Sequence, residues 1–383
     1  MRIGDALEIG VFLMPAHPPT RSLYDAAQWD LQVIRWAEEL GYSEAWIGEH
    51  FTAPWEPVPS PDLLIAQALT QTERIRLGAG TFLLANHHPT ELALRIAYLD
   101  QLSRGRLLVG VAPGGPGNDA ATFGYDVASG ENRRMYLESL NILLKYWTDR
   151  EPWEYKGEFW TVRHVADNPT ILAAHHLYPY QDPHPPVGMG GTSFRSGSLT
   201  YAVEHGLMPM SIMWSKHQLA SHVLALADGE ERATKPVAEI RADWRVTVDV
   251  FVADTDEEAR RLAVDGPMGE FWNSYQLPVI KNVGFLDIVR EDASVTADQI
   301  DSGFMADTQW AVGSPDTVAD KIAEIIEITG GHGKILTVAH DYTENPEAFR
   351  HSMELFAQEV LPRLRARFAD AELPDSFRAA VAS

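Results

Sequence analysis

The segment Glu44–Phe51 (EAWIGEHF) is apolar for most of its length and then ends on a carboxylate and an imidazole, Glu49 and His50. Histidine ordinarily titrates closest to neutrality, so His50 can take or give a proton in catalysis. Glu49 or a neighbour would orient it. From spacing alone, a satisfied structural histidine reads equally well. The next apolar run, Ile75–Leu84, leads into Ala85–Asn86–His87–His88–Pro89, and the run after it continues as Val109–Gly115 (VGVAPGG). Gly78 and Gly80 weaken a strand interior and mark close approach of a ligand or a second backbone. Small residues beside polar groups at three successive strand ends suggest a flat ligand lying across them.

Strands alternating with helices must position these groups. Leu7–Met14 is a short apolar run, and Ser22–Leu40 has helical spacing and stops at Gly41. Pro61–Glu73, Pro89–Ser103 and Glu131–Trp147 read as the helices that follow the second, third and fourth strands. Val187–Gly191, Leu207–Met213, Trp244–Ala253 and Lys334–His340 supply the remaining strands. Ser314, Pro315 and Gly330 frame the last well-marked helix as N-cap, first turn and stop. Near-continuous apolar strands are those of a parallel sheet. Eight βα units predict a single-domain α/β protein over residues 1–383, a closed (β/α)8 TIM barrel rather than an open doubly wound sheet. Two excursions interrupt it, after strands 4 and 7, at about 148–186 and 266–313. The first reads as a hairpin and a loop crossing the barrel end; the second is irregular and reads as a mobile lid or a disordered insertion. In such a barrel Trp46, Gly48 and His50 share the inward parity, and His50 reaches the mouth at the C-terminal end.

Composition narrows the class. With 54 Asp and Glu against 31 Lys and Arg the formal charge is −23, which repels phosphate backbones and makes nucleic acid an improbable partner. No apolar stretch is long enough to span a bilayer, and the N-terminus has no secretory pattern. The absence of cysteine excludes thiolate chemistry and fits a cytoplasmic protein.

WIGEHF, GAGTFLLANHHP, LDQLSRGRLLVGVAPG, FGYD with RRMYLESL, YKGEFW, AVEHGLMPM and VGSPDTVADKI together resemble the bacterial luciferase-like flavin-dependent monooxygenases, in particular their limonene-monooxygenase-like branch, over nearly the whole chain. The resemblance implies reduced FMN (FMNH2) as cofactor, O2 as co-substrate and a C4a-peroxyflavin that inserts one oxygen atom into an apolar substrate. It also implies a separate NAD(P)H:flavin reductase and a homodimer. Residue by residue, it puts catalytic roles on His50, Glu49 and His88 and a cis peptide under the flavin ring at Gly80–Thr81. Asn86, Ala112 and Asp119 fall near the flavin. The arginine that often grips the phosphate is replaced by Pro113, so Gly191, Ser193, Arg195 and Ser196, opening a helix after the fifth strand, are expected to take over.

Trp55, Phe82, Met213 and Trp214 are the expected substrate pocket, with Trp153, Phe159, Trp160 and Met189 as further aromatic or sulfur-bearing candidates. A terpene, a cyclic ketone or a long-chain aldehyde fits such a lining. Three competing functions stand beside this one: a deazaflavin-dependent hydride-transfer enzyme of the same fold, a flavin-binding protein without turnover, and a metal-dependent hydrolase using His50, His87 and His88. The last lacks any recognisable ligand spacing.

Overall fold

The computed structural model describes residues 1–114, 118–290, 292 and 294–378. Gly115, which closes VGVAPGG, and Glu291 and Ala293 of the second excursion lie outside the described residues. Eight parallel strands form a closed barrel in chain order: β1 Glu8–Ala16, β2 Glu44–Ile47, β3 Arg76–Leu83, β4 Leu107–Ala112, β5 Val187–Gly191, β6 Met208–Ile212, β7 Arg245–Val248 and β8 Lys334–His340. Pairing of Glu8 with Lys334 through Leu13 with Ala339 closes the ring.

Strand alternation sorts the side chains into two layers. Phe12, Trp46, Leu108, Met208, Met210 and Leu336 form their own cluster, the filling of the barrel. Ala45, Ile47, Leu77, Ala79, Val109, Val246 and Val248 join the larger core shared with the surrounding helices. The expected parity of β2 therefore holds. The glycines of β3 serve this filling rather than a ligand: a Cβ at Gly78 would lie 2.5 Å from the Trp46 indole, and one at Gly80 would lie 2.8 Å from the Phe12 ring. Large aromatic rings on neighbouring strands need bare backbone opposite them.

The strand expected over Trp244–Ala253 divides in two. Arg245–Val248 belongs to the barrel, whereas Val250–Val252 pairs in parallel with Ala311–Gly313 outside it. Asp249 sits at the break, and its carboxylate accepts from His340 Nε2 at 2.8 Å and from Trp272 Nε1 at 3.4 Å.

The first excursion is a hairpin, Trp153–Lys156 with Thr161–His164, followed by a loop. Glu138 of the helix Glu131–Thr148 accepts the backbone N–H groups of Glu158, Phe159 and Trp160, which fastens the turn to that helix. The loop then runs to the opposite end of the barrel, where Gln181 donates to the Leu107 carbonyl at the start of β4. It has to, because β5 must begin there to stay parallel.

The second excursion is helical rather than irregular. Pro267–Phe271, Trp272–Gln276 and Leu277–Asn282 follow one another, with Met268, Phe271, Trp272, Gln276, Leu277 and Ile280 buried. The middle segment is a π-turn that ends one residue short of Pro278, with Leu277 between, and a second π-turn, Phe356–Val360, is likewise separated from Pro362 by Leu361 alone. A proline cannot donate to the carbonyl four residues back and its ring crowds that carbonyl, so a wider turn relieves both.

Candidate active site

β2 ends at Ile47, and His50 follows it in a loop that closes on itself, the His50 N–H donating to the Val58 carbonyl at 2.9 Å. The imidazole is partly open, 36% exposed. Its Nε2 faces Glu56 Oε1 at 3.7 Å, while the Glu56 side chain is only 5% exposed. The other oxygen of Glu56 accepts from the Tyr275 hydroxyl at 2.8 Å. Trp55 stacks on Tyr275 with ring centres 6.3 Å apart and meets Phe271 edge-on. His50 is thus faced by Glu56, not oriented by Glu49.

Glu49 points the other way. Its carboxylate, fully buried, accepts from His87 Nε2 at 2.6 Å and from the Leu83 N–H at 3.2 Å. Burial raises the Glu49 carboxyl above its usual range, and the bonds from His87 and Leu83 offset only part of that. Arg95 reaches His87 Nδ1 at 3.5 Å and pairs with Asp62 at 2.8 Å. A guanidinium can only donate, so Nδ1 is the bare nitrogen and Nε2 carries the proton. His88, expected as the second catalytic histidine, is exposed and lies edge-on against Trp160 of the hairpin, 4.9 Å between ring centres. The helix that starts at Pro89 turns His88 outward and leaves His87 facing in.

Beside these histidines lies a cradle. The Gly80–Thr81 peptide is cis, as the resemblance implies. The Thr81 methyl lies next to Gly110 and Gly190, and a Cβ added at Gly190 would meet nothing nearer than that methyl at 3.5 Å. Asn86 accepts from the Tyr125 hydroxyl at 2.9 Å, and its buried Nδ2 has no partner among the described residues. Burial, then the charges of Asp119 and Glu49, push the Tyr125 phenol up to about 12, so it stays a donor. Asp119 is buried and holds the loop after His50 through the Thr52 hydroxyl and, at 3.5 Å, the Phe51 N–H. Ala112 ends β4, half-buried opposite Leu83. A flat heterocycle with acceptor edges suits this space: bare backbone at Gly190 for its face, an unused amide donor at Asn86 for its rim.

The helix start expected to take a phosphate is built differently from expectation. Gly191 closes β5 and Ser196 is buried at the start of the helix Gly197–Glu204. Arg195, however, is exposed and bonds Asp228 through Nε and Nη2, both at 2.8 Å. Its own backbone takes φ 46°, which swings the side chain away from the helix start. The Thr192 carbonyl is capped by Gln218, and the Ser193 carbonyl accepts from His222 Nε2 at 3.1 Å. Burial holds His222 down at about 4, so it is a neutral, fixed donor. Its Nδ1 accepts from Ser211, whose oxygen in turn accepts from Trp244. With those carbonyls occupied, the loop still carries the Ser193 and Ser196 hydroxyls, and that of Thr192, beside the helix start.

Of the expected pocket residues, Trp55 lines the mouth. Trp214 is half-buried, its N–H donating to Gln218. Phe82, Met189 and Met213 instead fill the layer between strands and helices, since their odd or shifted positions fall on the outward parity. Trp153 packs on Tyr146, away from the mouth. Sequence reasoning missed Glu56 and Tyr275, which only the loop and the second excursion bring together. It also missed His17, held between Asp30 at 3.2 Å and Asp341 at 2.8 Å. Burial works against that charge, but the two carboxylates outweigh it and hold His17 up at about 9. Among the described residues no cluster of three or more histidine or carboxylate side chains has metal-holding geometry.

Residues 7–333 match the pattern of the luciferase-like monooxygenases. The chain is 33% identical to 2,5-diketocamphane 1,2-monooxygenase 1 of Pseudomonas putida, covering 94% of this chain and 99% of that one. It is 30% identical to limonene 1,2-monooxygenase of Rhodococcus erythropolis, covering 93% and 86%. The solved FMN complex of the oxygenating constituent of 3,6-diketocamphane monooxygenase from Pseudomonas putida, a type II Baeyer–Villiger monooxygenase, superposes with a TM-score of 0.86 at 31% identity, over 94% of this chain and 98% of that one. This chain belongs to the luciferase-like monooxygenase family.

Proposed function

We propose that the protein is an FMN-dependent Baeyer–Villiger-type monooxygenase: it binds reduced FMN across the barrel mouth and inserts one atom of O2 into an apolar cyclic ketone. The observation that carries this reading is the cradle of Thr81, Gly110, Gly190 and Asn86 Nδ2 placed beside the half-open His50. Similarity to an FMN-bound type II Baeyer–Villiger oxygenase supports it. Reduced FMN, when bound, supplies the electrons that activate O2; the chain supplies the rest. Asn86 donates to the ring edge, Ser193, Ser196 and the N–H groups at the start of Gly197–Glu204 receive the phosphate, and His50 holds or moves the proton. Glu49 and His87 form a fixed wall behind the cradle. Trp55, Phe271 and Tyr275 exclude water from the substrate side.

The same reading includes a separate NAD(P)H-dependent flavin reductase, in keeping with a relative named as an oxygenating constituent, and a homodimer, which sedimentation would check. The deciding experiment mixes protein with reduced FMN or reduced deazaflavin and a cyclic ketone, then admits air. Lactone formation with oxygen uptake is expected only with FMN. Anaerobic hydride transfer from deazaflavin would replace this reading with the rival one.

A further inference from the structure

Glu56 belongs to none of the sequence segments that carry the family resemblance, yet among the described residues it is the carboxylate that faces His50, at 3.7 Å, and is almost wholly buried. Its two oxygens face different parts of the chain: Oε1 looks at His50 Nε2 within the loop after β2, and Oε2 accepts from Tyr275 of the second excursion. The loop itself is pinned, since the His17 N–H holds the Trp55 carbonyl at 2.8 Å and the Glu56 N–H holds the Ala53 carbonyl at 3.0 Å. The Trp55–Tyr275 stack then fixes the helical segment from Pro267 to Asn282 onto this loop. Burial, followed by the Glu56 charge and bond and the charge of Asp119, raises the Tyr275 phenol well above its ordinary value. Tyr275 therefore remains a donor, and Oε1 is the oxygen left for His50.

The geometry assigns Glu56 as the positioning residue for His50, with Tyr275 as the latch that makes this orientation depend on docking of the segment from Pro267 to Asn282. The inference rests on the reading of His50 as the proton-handling group. A carboxylate facing Nε2 favours the tautomer with the proton on Nε2 and leaves the Nδ1 lone pair bare. When Nδ1 takes a proton, the ring becomes an imidazolium with Nε2–H still facing Glu56; no other bond changes. The 3.7 Å separation is longer than a hydrogen bond, so the contact acts by charge until the ring turns toward it. Among the described residues Glu56 faces His50 and Tyr275; Asp119, whose charge reaches Tyr275, bonds Thr52 rather than the imidazole.

The test reads the ring nitrogens of His50 by NMR in flavin-free protein, independently of turnover. The wild type should show the Nε2–H tautomer in clearly greater excess than free histidine does. Glu56→Gln and Tyr275→Phe should each move the ratio back toward the free-histidine value, the first completely and the second in part, with unfolding transitions close to wild type. In the FMN-loaded enzyme, kcat should fall roughly tenfold in Glu56→Gln, less than the full contribution of a base, with KM for the ketone nearly unchanged. Glu56→Asp should recover part of the loss. An Nδ1–H tautomer in the wild type, or one unmoved by Glu56→Gln, would overturn the assignment. Tautomers that shift as expected while His50→Ala keeps full turnover would instead overturn only the role of His50 in the reaction.

Discussion

The two ends of the barrel use the same kinds of residue and treat them oppositely. At the floor, Glu44 accepts from Arg245 Nε at 2.9 Å, from Arg245 Nη2 at 3.0 Å and from Trp46 Nε1 at 2.8 Å. Asp243 takes a further guanidinium nitrogen, and both Glu44 and Arg245 are buried. At the mouth, His50 is partly open, Glu56 faces it from 3.7 Å, and Asn86 keeps a buried donor without an acceptor among the described residues. A closed network has nothing left to offer a ligand and serves only to specify the fold. An open one carries unspent hydrogen-bonding capacity, which is the usual mark of a site.

That contrast can be broken most sharply at His50. His50→Ala should lower kcat by about a hundred- to ten-thousandfold while leaving the unfolding transition in place. Glu44→Ala should do the reverse. Stranding Arg245 in the floor should cost about 3–5 kcal/mol in denaturant titrations, with turnover per folded molecule retained. A floor variant that folds normally but loses turnover would erase the distinction.

A third network shows that position alone does not decide. His17 follows β1 near the mouth, yet Asp30 and Asp341 close it on both sides. Its folded-state value, about 9, lies above its ordinary 6.5. The stabilisation is therefore complete below about 6.5 and is lost as pH rises through about 9, on the order of 3 kcal/mol in all. Unfolding measured across that window should show the slope in wild type and lack it in His17→Asn. The smallest effect is expected at Arg195: because its guanidinium already pairs with Asp228 in solvent, Arg195→Ala should change FMN affinity by roughly twofold or less.

Much of this architecture is legible in the sequence. Apolar runs punctuated by caps such as Gly41 and Gly330, both at positive φ, mark the units because backbone conformation is a local property. Strand parity placed Trp46 inside for the same reason. What misled was context. Gly78 and Gly80 look like ligand approaches until Trp46 and Phe12 are seen to fill the space. His87 and His88 are neighbours in sequence, and only the direction in which the following helix leaves tells which one meets Glu49.

The amino-acid sequence by itself determined the eight-unit barrel, its inward and outward faces and the presence of proton-handling groups at strand ends, since each depends on periodicity and residue type within a few positions. Only the tertiary structure decided which partners those groups have. Glu56 joins Tyr275, Glu49 joins His87 and Arg195 joins Asp228 because loops and helices from separate parts of the chain converge there. Partnership between side chains depends on distance in space, and no local pattern encodes it.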